Sequence, residues 1–397
     1  MLEKEFERKI PVKHHCLSHR LDLVTDETMK VFPVFGTFEK CLKEIFTFYH
    51  VSHKRQNSLN TFVQELQEPQ FRLSSIFDVR WISSFKIAID KVRNNFFALS
   101  SHLEHIFENV RDFTTKNFES FELKVGLMAG FLSNKDAMAL MYFNYDIVSR
   151  FSIESQYTQR KGATLIGMGK RRRIMIHDLK QIKQLQGPEF KSFLDSCQCF
   201  NSQAEAVSFI QTGNPVKKCS SLEEYEAHSH IVFKKTILED TDLRHPDTDA
   251  LKFTPISSLI PTYVDKLISE VNNYMPSDEI EVFDPLDQSK WQLKSTRWKI
   301  PNVRNLAKLF AMDQDIIQNQ FNQFLRTMLA NSRWFCNHKN NDPAYFWSLA
   351  LNNFNPGLEL ASFMRRILSI PMGEFDTYRV TQIKIYSFKW LLKHRIF

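Results

Sequence analysis

The hydrophobic residues of this chain recur at intervals of three and four over long stretches, which is the repeat of an amphipathic α-helix. The repeat is clearest in residues 260–275 and 303–328, and similar stripes run through 38–49, 85–110, 137–151 and 174–193. Alternation with a period of two is rare, and residues 279–283 form the best candidate for a β-strand. Pro261 lies near the start of its stripe, where the missing N–H of a proline is tolerated. The pattern therefore predicts a mostly α-helical protein.

Shifts in composition divide the predicted helices into four segments. Residues 160–173 are basic and hold three of the ten glycines, residues 239–249 are acidic and polar, and residues 337–343 are polar. We therefore predict an N-terminal helical part in 1–160 and a basic, then helical, segment in 161–250 that ends in an acidic loop. A segment of long helices is expected in 251–340, and a C-terminal helical region in 341–397.

Composition narrows the classes of protein to which this chain can belong. Only 10 of the 397 residues are glycine, which disfavours glycine-rich phosphate loops. The longest apolar stretch, residues 125–132, is far shorter than the roughly 20 residues that cross a membrane. Six cysteines without paired spacing fit a reducing compartment. With a charged N-terminus and a net charge of +7, we expect a soluble cytosolic or nuclear protein, with no signal peptide and no membrane partner.

The densest basic cluster is Lys170-Arg171-Arg172-Arg173. A run of this kind serves as a nuclear-import signal or contacts nucleic-acid phosphates. The alternative is a solvated loop or helix start, because short basic runs are common. These four residues are therefore candidates for nucleic-acid binding.

Cys16 and His19 have the spacing of half a structural zinc site. A second pair of ligands would come from Cys197 and Cys199, or from Cys336 and His338, although both pairs are spaced more tightly than usual. The alternative is that Cys16 and His19 only pack and form hydrogen bonds. We therefore expect no cofactor, with zinc as the alternative.

His102 and His105 lie three residues apart, with Glu104 between them. Zinc proteases carry His-Glu-x-x-His instead, and that spacing is missing here. We therefore expect both histidines on the solvent-exposed surface of a helix.

Four short sequence boxes, in order along the chain, resemble those of hAT-superfamily DNA transposases. Residues 14–23 read His-His-Cys-Leu-Ser-His-Arg-Leu-Asp-Leu, residues 79–84 read Val-Arg-Trp-Ile-Ser-Ser, and residues 282–285 read Val-Phe-Asp-Pro. Residues 368–380 read Leu-Ser-Ile-Pro-Met-Gly-Glu-Phe-Asp-Thr-Tyr-Arg-Val. In this register Arg379 matches the arginine of the family's C-terminal Glu-Arg pair, and Tyr378 stands where the family has its catalytic glutamate.

The resemblance implies both a fold and a loss of activity. In hAT transposases an RNase H-like β-sheet precedes the Cys-x-x-His box, an all-α insertion follows that box, and a third catalytic carboxylate comes later. Fifteen residues before Cys16 are too few for several strands of about 5–6 residues each. We therefore expect a helical insertion-type domain of an RNase H-like transposase with the catalytic sheet largely missing. Since a phenol is a poor ligand for Mg²⁺, Tyr378 implies that transposase activity is lost.

The resemblance also suggests what such a chain does now. We expect a catalytically inactive nuclear protein that binds protein partners, or forms a homodimer through the C-terminal region around Arg379, and that also has DNA as a candidate partner. Trp81 of the Arg-Trp box is the second candidate for nucleic-acid contact, because such a tryptophan can stack on an extruded base; the alternative is a core residue. An alternative hypothesis is an E3 SUMO-protein ligase of hAT origin, with the SUMO machinery as partner. A third hypothesis is a decayed open reading frame with no selected function, and the intact amphipathic helices argue against it.

Overall fold

The computed structural model describes residues 17–66, 73–74, 76, 81–114, 117–160, 163–184, 187–213, 218–219, 221–239, 255–291 and 301–370. These residues are mainly helical and include one small three-stranded sheet, which confirms the prediction of a mostly α-helical protein. Within these ranges, no helix combines the length and the apolar character needed to cross a membrane.

The helices and strands follow one another along the described ranges in this order. The first part contains α1 Leu17–Val31, α2 Pro33–His50, α3 His53–Glu65, α4 Trp81–Asn94, α5 Phe96–Glu108, α6 Val110–Phe113, α7 Phe118–Ser133, α8 Lys135–Gln159, α9 Met168–Lys183 and α10 Pro188–Ser196. Next come β1 Gln198–Phe200, α11 Gln203–Thr212, α12 Leu222–Ala227, β2 His230–Phe233, β3 Thr236–Glu239, α13 Ile256–Tyr274 and α14 Ser277–Ile280. Two 3₁₀ turns, Glu281–Leu286 and Gln288–Lys290, precede α15 Arg304–Leu309, α16 Gln314–Ala330, α17 Ser332–His338, α18 Pro343–Asn353 and α19 Leu358–Leu368.

The chain divides into two compact units that draw on separate stretches of the sequence. Unit A consists of Thr25–Ser152 and His177–Ser269, and unit B consists of Met1–Val24, Ile153–Ile176 and Glu270–Phe397. The four segments predicted from composition are contiguous, whereas each unit combines stretches that are distant in sequence.

Unit A is built around buried aromatic side chains. The ring of Phe35 on α2 stacks on Tyr263 of α13, with 3.8 Å between the ring centroids, and both rings also approach Phe143 of α8. All three residues are buried. Aromatic rings bury large areas and contribute roughly 0.5–1.5 kcal/mol per pair beyond that burial, so they account for much of the packing of these helices.

The sheet of unit A is antiparallel in the order β1-β2-β3. Phe200 and Val232 pack from one face of the sheet against Ala206 of α11. The turn between β2 and β3 is formed by Lys234 and Lys235, whose φ angles of 46° and 62° place both in the left-handed region. Two successive positive φ angles characterise the tight turns that match the twist of a hairpin.

One cysteine pair in unit A is oxidised: Cys199 of β1 and Cys219 form a disulfide. Cys197 is buried with a free thiol, and Cys336 is exposed. The disulfide differs from the expectation of uniformly reduced cysteines. The two residues meet because Gln198 and Lys218 pair in an antiparallel bridge, a long-range contact that cysteine spacing does not reveal.

The predicted strand at 279–283 is wrong. Residues Ser277–Ile280 form a short helix, and Glu281–Leu286 continue as a 3₁₀ turn. Ile280, Phe283 and Leu286 are all buried, and a spacing of three places residues on one face of a 3₁₀ turn.

The core of unit B is a second aromatic cluster. Trp347 of α18 is fully buried, donates a hydrogen bond from Nε1 to the carbonyl oxygen of Leu286 at 2.9 Å, and packs against Trp291 and Phe324. Because the indole N–H has a partner, this large side chain is buried without an unsatisfied polar group.

Four predicted helical stripes differ from the observed helices. One of them, 174–193, is divided between α9 and α10, with a break between Lys183 and Pro188. The stripe 303–328 is two helices, because Ala311 has a φ of 51° and the Asp313 side chain caps the start of α16. The stripe 85–110 is interrupted at Asn95, between α4 and α5. Pro261 lies inside α13, five residues after its first residue, Ile256, and so beyond the N–H groups that have no intrahelical partner.

Candidate functional site

Several of the predicted site residues lie outside the described residues. These are Cys16, Arg80, Tyr378 and Arg379. The remaining candidates are Trp81, Lys170–Arg173 and His19, and the structure places Trp81 in unit A and the others in unit B.

His19 is exposed on α1. The candidate ligand Cys199 is bonded to Cys219, and Nδ1 of His338 lies 2.7 Å from the carbonyl oxygen of Trp334. In the part of the chain that the structure describes, no three His, Cys, Asp or Glu residues are grouped so as to hold a metal ion. A zinc site at Cys16 and His19 therefore stays a prediction.

Trp81 is the first residue of α4 and is half-buried. Its ring stacks on the buried ring of Phe85 one turn later, with 4.6 Å between the centroids. Trp81 therefore packs against the core of unit A and keeps part of its surface accessible to solvent.

The basic cluster occupies the first turns of α9. Lys170 and Arg173 are exposed, Arg171 is half-buried and Arg172 is buried. An α-helix turns by about 100° per residue, so four consecutive residues point in four directions. For this reason the cluster does not form a single basic face.

Arg172 stabilises the C-terminal end of α13. Its Nε donates to the carbonyl oxygen of Met275 at 2.6 Å, and its Nη2 also donates to Oδ1 of Asn272. Arg20, from the His-Arg-Leu box on α1, donates to the carbonyl oxygen of Tyr274 at 3.1 Å. The last carbonyl groups of a helix lack intrahelical donors and carry partial negative charge, and two arginines satisfy them here.

Arg173 faces the Phe-Asp-Pro box. Its Nη1 lies 2.8 Å from Asp284 and 3.3 Å from Glu281, while Nζ of Lys290 lies 2.5 Å from Asp284. Burial alone would lower the pKa of Arg173, but the hydrogen bond and charge of Asp284, with Glu281, outweigh burial and raise it. Asp284 and Glu281 thus neutralise the charge of Arg173, the last residue of the basic cluster.

Asp284 also lies against the backbone of α9. A methyl group added at Gly169 would lie 2.3 Å from Oδ1 of Asp284, so only glycine permits this approach. Gly169 belongs to the first turn of the helix, where a carboxylate is favoured by the helix dipole. Gly169, the residue before the basic cluster, therefore allows Asp284 of the Phe-Asp-Pro box to lie against α9.

Arg171 completes the set by pairing with a buried carboxylate. Its Nη1 lies 3.3 Å from Glu154 of α8, and its guanidinium lies 3.6 Å from the ring centroid of Tyr157. Glu154 is only 1% exposed, so without Arg171 its charge would be costly. Sequence reasoning missed Glu154 because nothing marks a lone glutamate in a helix as the partner of a distant arginine.

We call this set of charged residues the polar junction of unit B; it comprises Arg20, Glu154, Arg171, Arg172, Arg173, Glu281, Asp284 and Lys290. It joins three separate sequence features: the His-Arg-Leu box, the basic cluster and the Phe-Asp-Pro box. Arg171, Arg172 and Arg173 each pair with a carboxylate of the junction, and Arg20 and Arg172 also satisfy backbone carbonyl groups. Chemically, such an arrangement holds helices in register.

No protein-family model matches this chain, and no solved structure matches it. The relationship to hAT transposases therefore remains a resemblance carried by the sequence boxes.

Proposed function

We propose that this chain is a catalytically inactive, transposase-derived nuclear protein that acts as a protein-interaction module. The four boxes in order support the ancestry, and Tyr378 at the position of the family's catalytic glutamate supports the loss of transposase activity. The helical content of the described residues is compatible with the insertion-type domain of an RNase H-like transposase.

The observation that carries this proposal is the burial of Arg172 and its hydrogen bond to the end of α13. A protein that binds nucleic acid through a basic cluster must present the cations to phosphates. Here Arg172 is buried, and Arg171 and Arg173 are already paired with Glu154 and Asp284. Lys170 is the exposed cation of the cluster that is not part of the polar junction. A protein partner is therefore the better candidate than DNA.

A DNA titration tests the proposal. The purified chain is titrated into fluorescent duplex and hairpin DNA between about 50 and 200 mM salt, alongside a Lys170→Ala variant. We expect at most non-specific affinity, with Kd values of roughly 10⁻⁴–10⁻⁶ M at physiological salt. Sub-micromolar binding that falls steeply with salt and weakens in folded Lys170→Ala would instead establish DNA binding as the function.

The SUMO-ligase reading remains an implication of the resemblance. A ligase that orients a charged carrier needs no side-chain chemistry of its own, but it needs a segment that adds a strand to SUMO. No acidic-flanked, β-branched motif of that kind stands out in the sequence. We therefore rank it below the interaction module.

A further inference from the structure

Helices α5 and α7 of unit A present an apolar surface to solvent. Phe107 of α5 is 44% exposed, and Phe118 and Leu123 of α7 are 43% and 54% exposed. A methyl group added at Gly126 would lie 3.1 Å from Cε2 of Phe107, so the Phe107 ring lies directly against α7. Leu123 is three residues before Gly126, about 60° round the helix axis, and therefore lies near this face, whereas Phe118, eight residues before Gly126, lies about 80° to its other side.

The same two helices carry four carboxylates close in sequence to these apolar side chains. Glu104 and Glu108 are on α5, Glu119 and Glu122 are on α7, and all four are exposed. Among the described residues, none of the four lies in an ion pair with a lysine, arginine or histidine. The two helices carry these four glutamates against one lysine, Lys124, so this surface has a net negative charge on a chain whose net charge is +7.

The fold itself does not account for the acidic pair on α5. Glu104 and Glu108 are four residues apart in the last turns of the helix, where like charges repel and the helix dipole disfavours anions. Although the residue is exposed overall, partial burial of its carboxyl group, and then the charge of Glu108, raise the pKa of Glu104. Glu119 and Glu122, by contrast, lie near the start of α7, where the dipole favours them.

We propose that this surface binds a basic amphipathic helix of a partner protein. The partner's apolar side chains would pack on Phe107 and Leu123, with its helix lying along α5 and α7. Its lysines and arginines would pair with the four glutamates and relieve the repulsion between Glu104 and Glu108. This inference rests on the proposed function and names the chemistry of the partner.

The test uses a labelled synthetic helix of leucine and lysine, and the same helix with glutamate in place of lysine. Both are titrated with the full chain by fluorescence anisotropy at low and moderate salt. We expect the lysine helix alone to bind, and its affinity to fall by roughly tenfold or more in Leu123→Glu and in Glu104→Lys/Glu108→Lys. Ile87→Glu, at a residue of α4 that is 46% exposed, and Glu65→Lys on α3 are matched controls that should bind as the parent does.

Two kinds of result would overturn the inference: a failure of the surface to select the lysine helix, and self-association through the surface. Equal loss of affinity in the control variants, or no binding of the lysine helix, would show that the surface does not select this partner. A dimer in sedimentation that Leu123→Glu dissociates would assign the surface to a second copy of the chain. Neither result depends on DNA binding. The outcome of the DNA titration, which tests the proposed function, is therefore independent of the outcome of this experiment.

Discussion

Among single residues, His102 departs most from what the sequence suggested. We expected it on a helix surface, but it is fully buried, so that prediction is wrong. Its Nδ1 lies 3.0 Å from Oη of Tyr49 and its Nε2 lies 2.8 Å from Oγ of Ser58. A stripe of apolar residues does not show that a histidine on the same helix face can be buried when hydroxyl groups from other helices meet both ring nitrogens.

Burial lowers the pKa of His102 to about 4, with a smaller contribution from the charge of His105. The imidazole is therefore neutral in the folded protein near pH 7, and the unfolded chain binds the proton more readily. Its contribution to stability is present above about pH 6.5 and is lost as the pH falls toward 4. We expect the free energy of unfolding to fall over this range, by up to about 3 kcal/mol from this group.

Urea unfolding at a series of pH values measures this effect, with His102→Gln as the comparison. The variant is expected to be less stable at pH 7 and to show a flatter pH profile between 4 and 6.5. Parallel profiles for the two proteins would contradict the assignment of a neutral, buried His102.

Gly169 gives a second prediction for a single residue. Gly169→Ala would force Oδ1 of Asp284 away from α9 and weaken its contact with Arg173. We expect a loss of about 1–3 kcal/mol in the free energy of unfolding, since the added methyl group overpacks the site. Gly36→Ala on α2 is the matched control, because nothing lies within 4 Å of its added methyl group. A helical Gly→Ala change without a clash is expected to stabilise by roughly 0.5–1 kcal/mol, so equal effects at the two sites would contradict the account.

At the scale of elements, the long helices were predictable and the sheet was not. The stripes at 38–49 and 137–151 lie within α2 and α8. They were predictable because a helix with one buried face has apolar residues at every third or fourth position. The β2–β3 hairpin was missed because Lys234 and Lys235 occupy positions where asparagine and glycine usually signal a turn. The break at Ala311 was missed for the same reason, since alanine normally favours a helix.

The disulfide ties β1 to the segment before α12, and its removal is a prediction at this scale. The bond closes a loop of 20 residues, for which chain entropy suggests a contribution of about 3 kcal/mol. We expect dithiothreitol to lower the Tm of the parent chain and to leave Cys199→Ser/Cys219→Ser unchanged. Cys336→Ser, at an exposed thiol, should behave as the parent does in both conditions. An identical Tm for the parent with and without reductant would contradict the prediction.

At the scale of the whole molecule, the sequence revealed the short boxes but not that residues from three sequence features lie together in the polar junction of unit B. Arg20, Arg172 and Asp284 are separated by more than a hundred residues from one to the next, and their shared location in unit B follows from long-range packing. The segments predicted from composition are contiguous, because composition along a chain does not show which distant stretches pack together in one unit. The surface of α5 and α7 was missed as well, because two exposed faces must be adjacent before they form one surface.

The basic cluster stabilises unit B through Arg172, and a comparison of two variants measures this contribution. Arg172→Met retains much of the apolar stem and removes the polar contacts, whereas Lys170→Met changes an exposed residue. Unfolding is followed by tryptophan fluorescence, since Trp291, Trp334 and Trp347 lie in unit B. We predict a loss of at least about 2 kcal/mol for Arg172→Met, from unsatisfied buried groups, and a change within about 0.5 kcal/mol for Lys170→Met. Equal stability of both variants, with DNA affinity lost in Arg172→Met, would contradict the account.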